Sequence, residues 1–327
     1  MTAKQWIVWV STIVLLLGFG VPPDVESAGS TTLRMVTFVP TKSQTTRACF
    51  LLSKQVQEQS GGKLKIEIVG GPEAIPSYDQ PTAVRNGVFD MILSPPDASL
   101  IPEALSFILS EQTPAQERKS GYYDLMAEIY RKQNVFYLGR AAVDNEFHIM
   151  LAKKRIEKLE DLAGLKLSAY GATLPLIKAL GAAPVTIPFQ DVYTAMERGV
   201  VDGIIDVKTG LKTWGLASVV QYMVSVPLYG QNLVILVNLD SWNKIPAEYQ
   251  QMMQQIMAGI ENNELAELYV RRSKGALKLA ADKGMQIIEL PAAEAKRLAD
   301  LADEVIWEEV IKKSPEYGPR LRKLLAQ

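Results

Sequence analysis

Cysteine and histidine are almost missing from this chain, and their scarcity excludes whole classes of chemistry. Among 327 residues there is one of each. A lone Cys49 cannot close an intramolecular disulfide. It sits in the helical pattern Ala48-Cys49-Phe50-Leu51-Leu52, which reads as a buried core thiol. The usual zinc sites of Cys and His lack their ligands. Cys/His catalysis would need Cys49 and His148 to meet, and a Ser/His/Asp triad could draw only on His148. These absences argue against an enzyme, and no cofactor or resident metal is expected. An excess of one charge is lacking too: 35 basic residues face 36 acidic ones, for a formal net charge of −1. No basic block carries interleaved aromatics, so nucleic acid is not expected as a partner.

Long apolar runs are confined to the N-terminus. Lys4 precedes a stretch from Trp6 to Phe19 that is short for a bilayer span. Val25-Glu26-Ser27 then places small or aliphatic residues before a cleavage site at Ala28. Residues 1–27 are expected to be a secretory signal peptide and the protein periplasmic; an uncleaved anchor is the competing reading.

What is present is ample for folding. With 48% hydrophobic and 22% charged residues, the chain can build two cores. Strand patterns near Leu33–Val39, Lys63–Val69, Val88–Leu93, Val135–Leu138 and Phe147–Ala152 alternate with helical ones, which predicts α/β sheets with parallel pairs. The pattern restarts after Lys166. Ala83-Val-Arg-Asn-Gly-Val-Phe-Asp-Met-Ile-Leu-Ser94 recurs as Ala195-Met-Glu-Arg-Gly-Val-Val-Asp-Gly-Ile-Ile-Asp206, with the starts 112 residues apart. Gly87 and Gly199 stand where a helix end needs a left-handed residue. Each unit then runs into a strand ending in a small polar residue, Ser94 or Asp206. Ligands bind outside the carboxyl ends of such strands, so one unit per lobe predicts two lobes facing a shared cleft. From Pro246 to about Lys283 a long helical pattern follows, then a strand near Met285–Glu289 and a helix from Pro291 to about Lys313.

Leu180-Gly-Ala-Ala-Pro-Val-Thr-Ile-Pro-Phe-Gln-Asp-Val-Tyr193, Ala195 to Gly203, Ser60 to Ile68 and Asn238 to Gln250 together resemble the extracytoplasmic solute receptors of TRAP transporters, the DctP-type family. The resemblance implies a two-lobed periplasmic-binding-protein fold with a ligand cleft between lobes and a long bridging C-terminal helix. On that division, residues 28–147 form mainly lobe I, 148–240 mainly lobe II, and 241–327 a helical region spanning both. It also implies delivery of a small solute to TRAP-type membrane permease subunits, and some relatives dimerise through the long helix.

The family's characteristic arginine, which pairs with a substrate carboxylate, falls at Ser168 here. A second arginine of several members falls at His148, and the asparagine after the Asp-Gly motif is Asp206. Three readings stay open. Asp206 binds a hydroxyl- or amine-bearing solute; or an acid binds through Arg140, Arg47, His148 or a metal at Asp206; or transport function is altered. Ser94 and Asn232 are further polar candidates, and Phe38, Phe147, Tyr170, Trp214 and Tyr229 are aromatic ones. The alternatives to a transport subunit are an exported enzyme using Asp206 with His148, and a ligand-sensing partner of a membrane receptor.

Overall fold

The computed structural model describes residues 30–97, 99–142 and 146–326. The expected signal segment, residues 1–27, lies outside them. Strands in the first part of the chain are β1 (Thr31–Thr37), β2 (Leu64–Gly70), β3 (Met91–Ser94), β4 (Val135–Ala142) and β5 (Phe147–Leu151). They are followed by β6 (Lys166–Ala169), β7 (Ala183–Thr186), β8 (Gly203–Val207), β9 (Tyr222–Val224), β10 (Leu233–Asn238) and β11 (Gln286–Ile288). One sheet has the order β2-β1-β3-β10-β4 and the other β11-β9-β5-β8-β6-β7, with helices on both. No helix among the described residues is long and apolar enough to cross a membrane.

Period-two alternation distributes each sheet's side chains between two cores. In the first sheet, Met35, Leu93, Phe136 and Ile235 pack to one side, and Val36, Ile92, Tyr137 and Val234 to the other. The second group merges with Phe147, Ile149, Leu167 and Ile205 of the second sheet into one core spanning both lobes. The helix Ala292–Lys313 seals that core with Leu298, Ala302, Ile306 and Trp307, touching the turn Pro102–Leu109 of one lobe and the helix Leu174–Ala179 of the other.

Sheet membership departs from chain order. β10 lies within 148–240, read as mainly the second lobe, yet it pairs antiparallel with β3 and β4 in the first. Its run Leu233–Val237 is buried throughout, as a strand in the middle of a covered sheet must be. Among the described residues the chain therefore passes between sheets three times, at β4–β5, β9–β10 and β10–β11.

The repeated unit has the same geometry in both lobes. Val88 and Val200 donate their N–H groups to Ala83 and Ala195, and Gly87 and Gly199 have φ of 75° and 71°. This is the left-handed closure that a side chain would strain. The repeat's aspartates act as latches. Asp90 accepts the Arg34 N–H at 2.7 Å and Asp202 accepts the Lys166 N–H at 2.8 Å. Their own N–H groups donate to the carbonyls of the same two residues. Each latch fixes the start of one parallel strand, β3 or β8, against the neighbouring strand, β1 or β6.

The helical run expected from Pro246 to Lys283 is present but changes pitch. Ala247–Gly259 and Leu265–Asp282 are α-helical, and Ile260–Glu264 between them is a π turn. At that turn Glu261 enters the first lobe, 2.6 Å from Arg118 and accepting the Arg140 N–H at 2.5 Å. A Cβ on Gly139 would collide with the Glu261 carboxylate, so this approach needs glycine. The Arg140 guanidinium pairs with Glu117 at 2.9 Å, both side chains buried. Arg140 is thus an anchor of the long helix's footing.

Alanine at Asp90 or Asp202 should each lower unfolding free energy by about 1–2 kcal/mol, since each removes a charged hydrogen bond to backbone. A loss at each site in denaturant titrations, the larger at Asp90, which also accepts from Ser241 Oγ at 2.6 Å, would support both latches; no loss at either site would refute their role.

Candidate functional site

Chain direction brings one set of strand ends together. The carboxyl ends of parallel β1, β3, β6 and β8 lead to Phe38, Pro95, Tyr170 and Asp206–Val207. β5 and β10 run antiparallel to β8 and β3, so their amino ends, at Phe147 and Asn232–Leu233, reach the same edge. All of these residues line one cleft between the sheets.

The cleft has an inner chamber and a neck. The inner chamber, about 340 Å³, is lined mainly by Phe38, Tyr78, Pro81, Pro95, Leu105, Ile108, Phe147, Tyr170 and Phe189, with Ser94, Asp97, Ser99 and Asn232 as polar members. The neck, about 70 Å³, shares Phe38, Pro95, Phe147, Tyr170, Phe189 and Asn232 with it and adds Thr45, Asp206, Thr209, Gly210, Trp214 and Gln231. Aromatic rings run continuously across the space. Phe38 meets Tyr78 edge-on at 5.6 Å and Phe189 of the other lobe at 6.4 Å. Phe189 lies 4.8 Å from Tyr170 and stacks on Trp214 at 5.4 Å. Among the described residues, no Lys, Arg or His lines either space.

Asp206 is the neck's charged residue. It is 3% exposed, and its Oδ2 has no hydrogen-bond partner. A Cβ on Gly210 would collide with that oxygen, so glycine there gives the carboxylate its room. Burial pushes its pKa from 3.8 up to about 7, opposed only by the Val207 backbone. Asn232, also 3% exposed, donates its Nδ2 to the Phe107 carbonyl and leaves Oδ1 without a partner. Two orphaned acceptors therefore line one neck, and buried acceptors cost free energy until a donor arrives.

Seven of the ten sequence candidates line the cleft: Phe38, Ser94, Phe147, Tyr170, Asp206, Trp214 and Asn232. Three do not. Ser168 is 2% exposed in β6, between β7 and β8. Tyr229 donates its hydroxyl to Ala302 and meets Phe147 edge-on, supporting the wall from behind. His148 is the register partner of Asp206, yet its Nδ1 is bonded to the Val224 carbonyl at 2.9 Å. That acceptor assigns the proton to Nδ1. Burial holds the imidazole pKa below its ordinary value, and Nε2 lies 3.6 Å from Glu146, which also pairs with Lys208. Of the other cations weighed for an acid, Arg140 is paired with Glu117, and Arg47 is exposed at the first residue of the helix Arg47–Gln59. Among the described residues no three His, Cys, Asp or Glu side chains gather as metal ligands.

The sequence reading missed Phe189 and Tyr78. Phe189 lies a short turn beyond the carboxyl end of β7, as Tyr170 lies directly beyond that of β6, and that position was its available signal. Tyr78 lies in a short 3₁₀ turn with no strand before it to mark it.

Residues 35–313 match the family model for bacterial extracellular solute-binding protein, family 7, DctP. A monocarboxylate 2-oxoacid-binding periplasmic protein of Nostoc sp. is 26% identical over 67% of this chain and 63% of its own length. The C4-dicarboxylate-binding periplasmic protein DctP of Rhodobacter capsulatus is 29% identical over 53% of this chain. The chain thus spans between half and 63% of these relatives' lengths. In fold it is similar to a TRAP periplasmic solute-binding protein of Desulfovibrio salexigens with bound orotic acid. That structure has a TM-score of 0.80 at 17% identity and covers 90% of this chain and 97% of its own.

The sign of the Asp206 shift sets a pH signature. A carboxyl whose pKa rises on folding is protonated in the native state while the unfolded chain has already ionised. Its contribution to stability is therefore lost as pH climbs from about 4 to about 7. Asp206→Asn should flatten that part of the apo stability curve and leave the variant more stable than wild type above pH 7, by up to about 4 kcal/mol. Parallel pH profiles for the two proteins in urea melts would contradict the buried, orphaned carboxyl.

Proposed function

Because the chain belongs to the DctP family of bacterial extracellular solute-binding proteins, family 7, we propose that it is the exported solute-binding subunit of a TRAP-type transporter. It takes a small solute into the cleft between its sheets and hands it to membrane permease subunits. The solute has an apolar, preferably aromatic body and at least one hydroxyl, N–H or ammonium donor. One observation carries this reading: the neck holds two unpartnered buried acceptors, Asp206 Oδ2 and Asn232 Oδ1, in a cleft whose inner chamber and neck are lined, among the described residues, by no cation.

The physical argument is one of complementarity. A simple short carboxylate would meet an ionised Asp206 as a like charge, or a protonated one as its sole acid partner, and among the described residues no cation lines the inner chamber or neck to offset it. A donor instead satisfies both acceptors, and an ammonium would also hold Asp206 ionised. The Nostoc relative is named for monocarboxylate 2-oxoacids. On our reading Ser168 stands where the family resemblance expects a clamp arginine, which would leave this chain without that cation for an acid. The inner chamber's aromatic walls offer stacking surfaces on both lobes. A solute touching Phe38 on one lobe and Phe189 on the other would favour the closed arrangement of the lobes.

Catalysis has little to work with. Asp206 and His148 are register partners, but only Asp206 lines the cleft, so the acid/base pair an enzyme would use is not assembled. Bound solute should be recovered unchanged.

In a thermal-shift screen of amines, polyols, amino acids and aromatic alcohols beside short mono- and dicarboxylates, donor-bearing compounds with apolar bodies should raise the melting temperature. Asp206→Ala should then weaken the best ligand about 10–100-fold in calorimetry. Shifts produced only by donor-free carboxylates would reject this assignment.

A further inference from the structure

Beyond the neck the cleft opens into a third, outer chamber of about 590 Å³, with a different chemistry. It shares Thr45, Thr209, Thr213 and Trp214 with the neck, so the two spaces are continuous. Its other walls include Ser43 from the first lobe and Lys212, Arg271 and Arg272 from the second and from the long helix. Three cations line it and, among the described residues, no Asp or Glu does. The cleft is therefore polarised along its length: aromatic and free of cations inside, acceptors in the neck, basic at the mouth.

Gly275 marks the same chamber independently. It lies inside the helix Leu265–Asp282, where glycine is the poorest choice after proline. A Cβ there would meet no protein atom within 4 Å, so close packing does not demand the glycine. Its absent side chain instead widens the chamber beside Arg271 and Arg272.

We propose that the outer chamber is an anion subsite, in which Lys212, Arg271 and Arg272 receive a carboxylate, sulfonate or phosphate group at the far end of a solute whose apolar body fills the inner chamber. The inference rests on the reading of the inner cleft given above and extends it to a substrate class. The solute is elongated and two-ended, with donors at its middle for Asp206 and Asn232 and a negative group pointing outward. Arginine suits the planar oxyanion, and Lys212 adds a mobile point charge. The anion lies beyond Asp206 rather than against it, which reconciles a negatively charged solute with a neck that carries a carboxyl.

Two fluorescent probes separate the chambers. N-phenyl-2-naphthylamine has an aromatic body and one N–H donor; 6-anilinonaphthalene-2-sulfonate is the same skeleton with a sulfonate at the far end. Wild-type protein should bind the sulfonate at least tenfold more tightly than the neutral probe. That ratio should fall to near one in Lys212→Gln/Arg271→Gln, both exposed positions, and in Gly275→Leu, which fills the chamber. Melting curves check that each variant folds, and either variant alone suffices as the test. Inorganic phosphate supplies a second arm. If it competes with the sulfonate alone, the anion belongs to the solute; if it tightens the neutral probe, the subsite takes a separate anion. Equal affinities in wild type, a ratio that survives both variants, or phosphate without effect on either probe would overturn the anion subsite. Failure of wild type to bind either probe would instead overturn the aromatic inner chamber, and this inference with it.

Discussion

A carboxyl group sealed into an apolar neck must be neutralised, and the cleft is organised around how Asp206 meets that demand. Without a partner, burial shifts the balance toward its protonated form by raising its pKa to about 7. With a donor bound, its Oδ2 gains the hydrogen bond it lacks. The same residue thus disfavours the empty cleft and favours the filled one, so stability is exchanged for recognition. Gly210 makes the arrangement possible, because any side chain there would occupy the carboxylate's position.

That neck exists because strand ends from two sheets converge. The Asp90 and Asp202 latches fix equivalent helix–strand units in the two lobes, each delivering a strand's carboxyl end to the cleft. The three passages between sheets and the helix Ala292–Lys313 tie the lobes into one core. The half-buried Arg118–Glu261 pair and the buried Arg140–Glu117 pair fix the long helix to the first lobe at its π turn. The Leu265–Asp282 segment beyond that turn contributes Arg271, Arg272 and Gly275 to the cleft's mouth.

Much of this was legible in the amino-acid order. The Ala83 and Ala195 units announced paired lobes, and the strand-end rule pointed to Ser94 and Asp206. Glycines 87 and 199 were readable because a left-handed helix end leaves few alternatives. Less legible was anything decided by which way a side chain turns. His148 and Asp206 share a register, yet one ring is bonded to a β9 carbonyl while the other side chain borders the neck. Ser168 and Tyr229 sit one layer behind the cavity wall. Phe189 and Tyr78 look like packing residues in sequence and become cavity walls only when the lobes are set face to face. β10 reads with the second lobe but pairs in the first, since its run Leu233–Val237 fits the interior of either sheet.

The central claim is that this cleft binds through donors offered to Asp206 and Asn232. The most direct test is a crystal structure of the protein with the solute that the melting screen selects. The account predicts that solute between the lobes, with an N–H or O–H group within about 3.2 Å of Asp206 Oδ2 and its apolar body between Phe38 and Phe189. A carboxylate facing Asp206, or a solute seated outside this cleft, would contradict it.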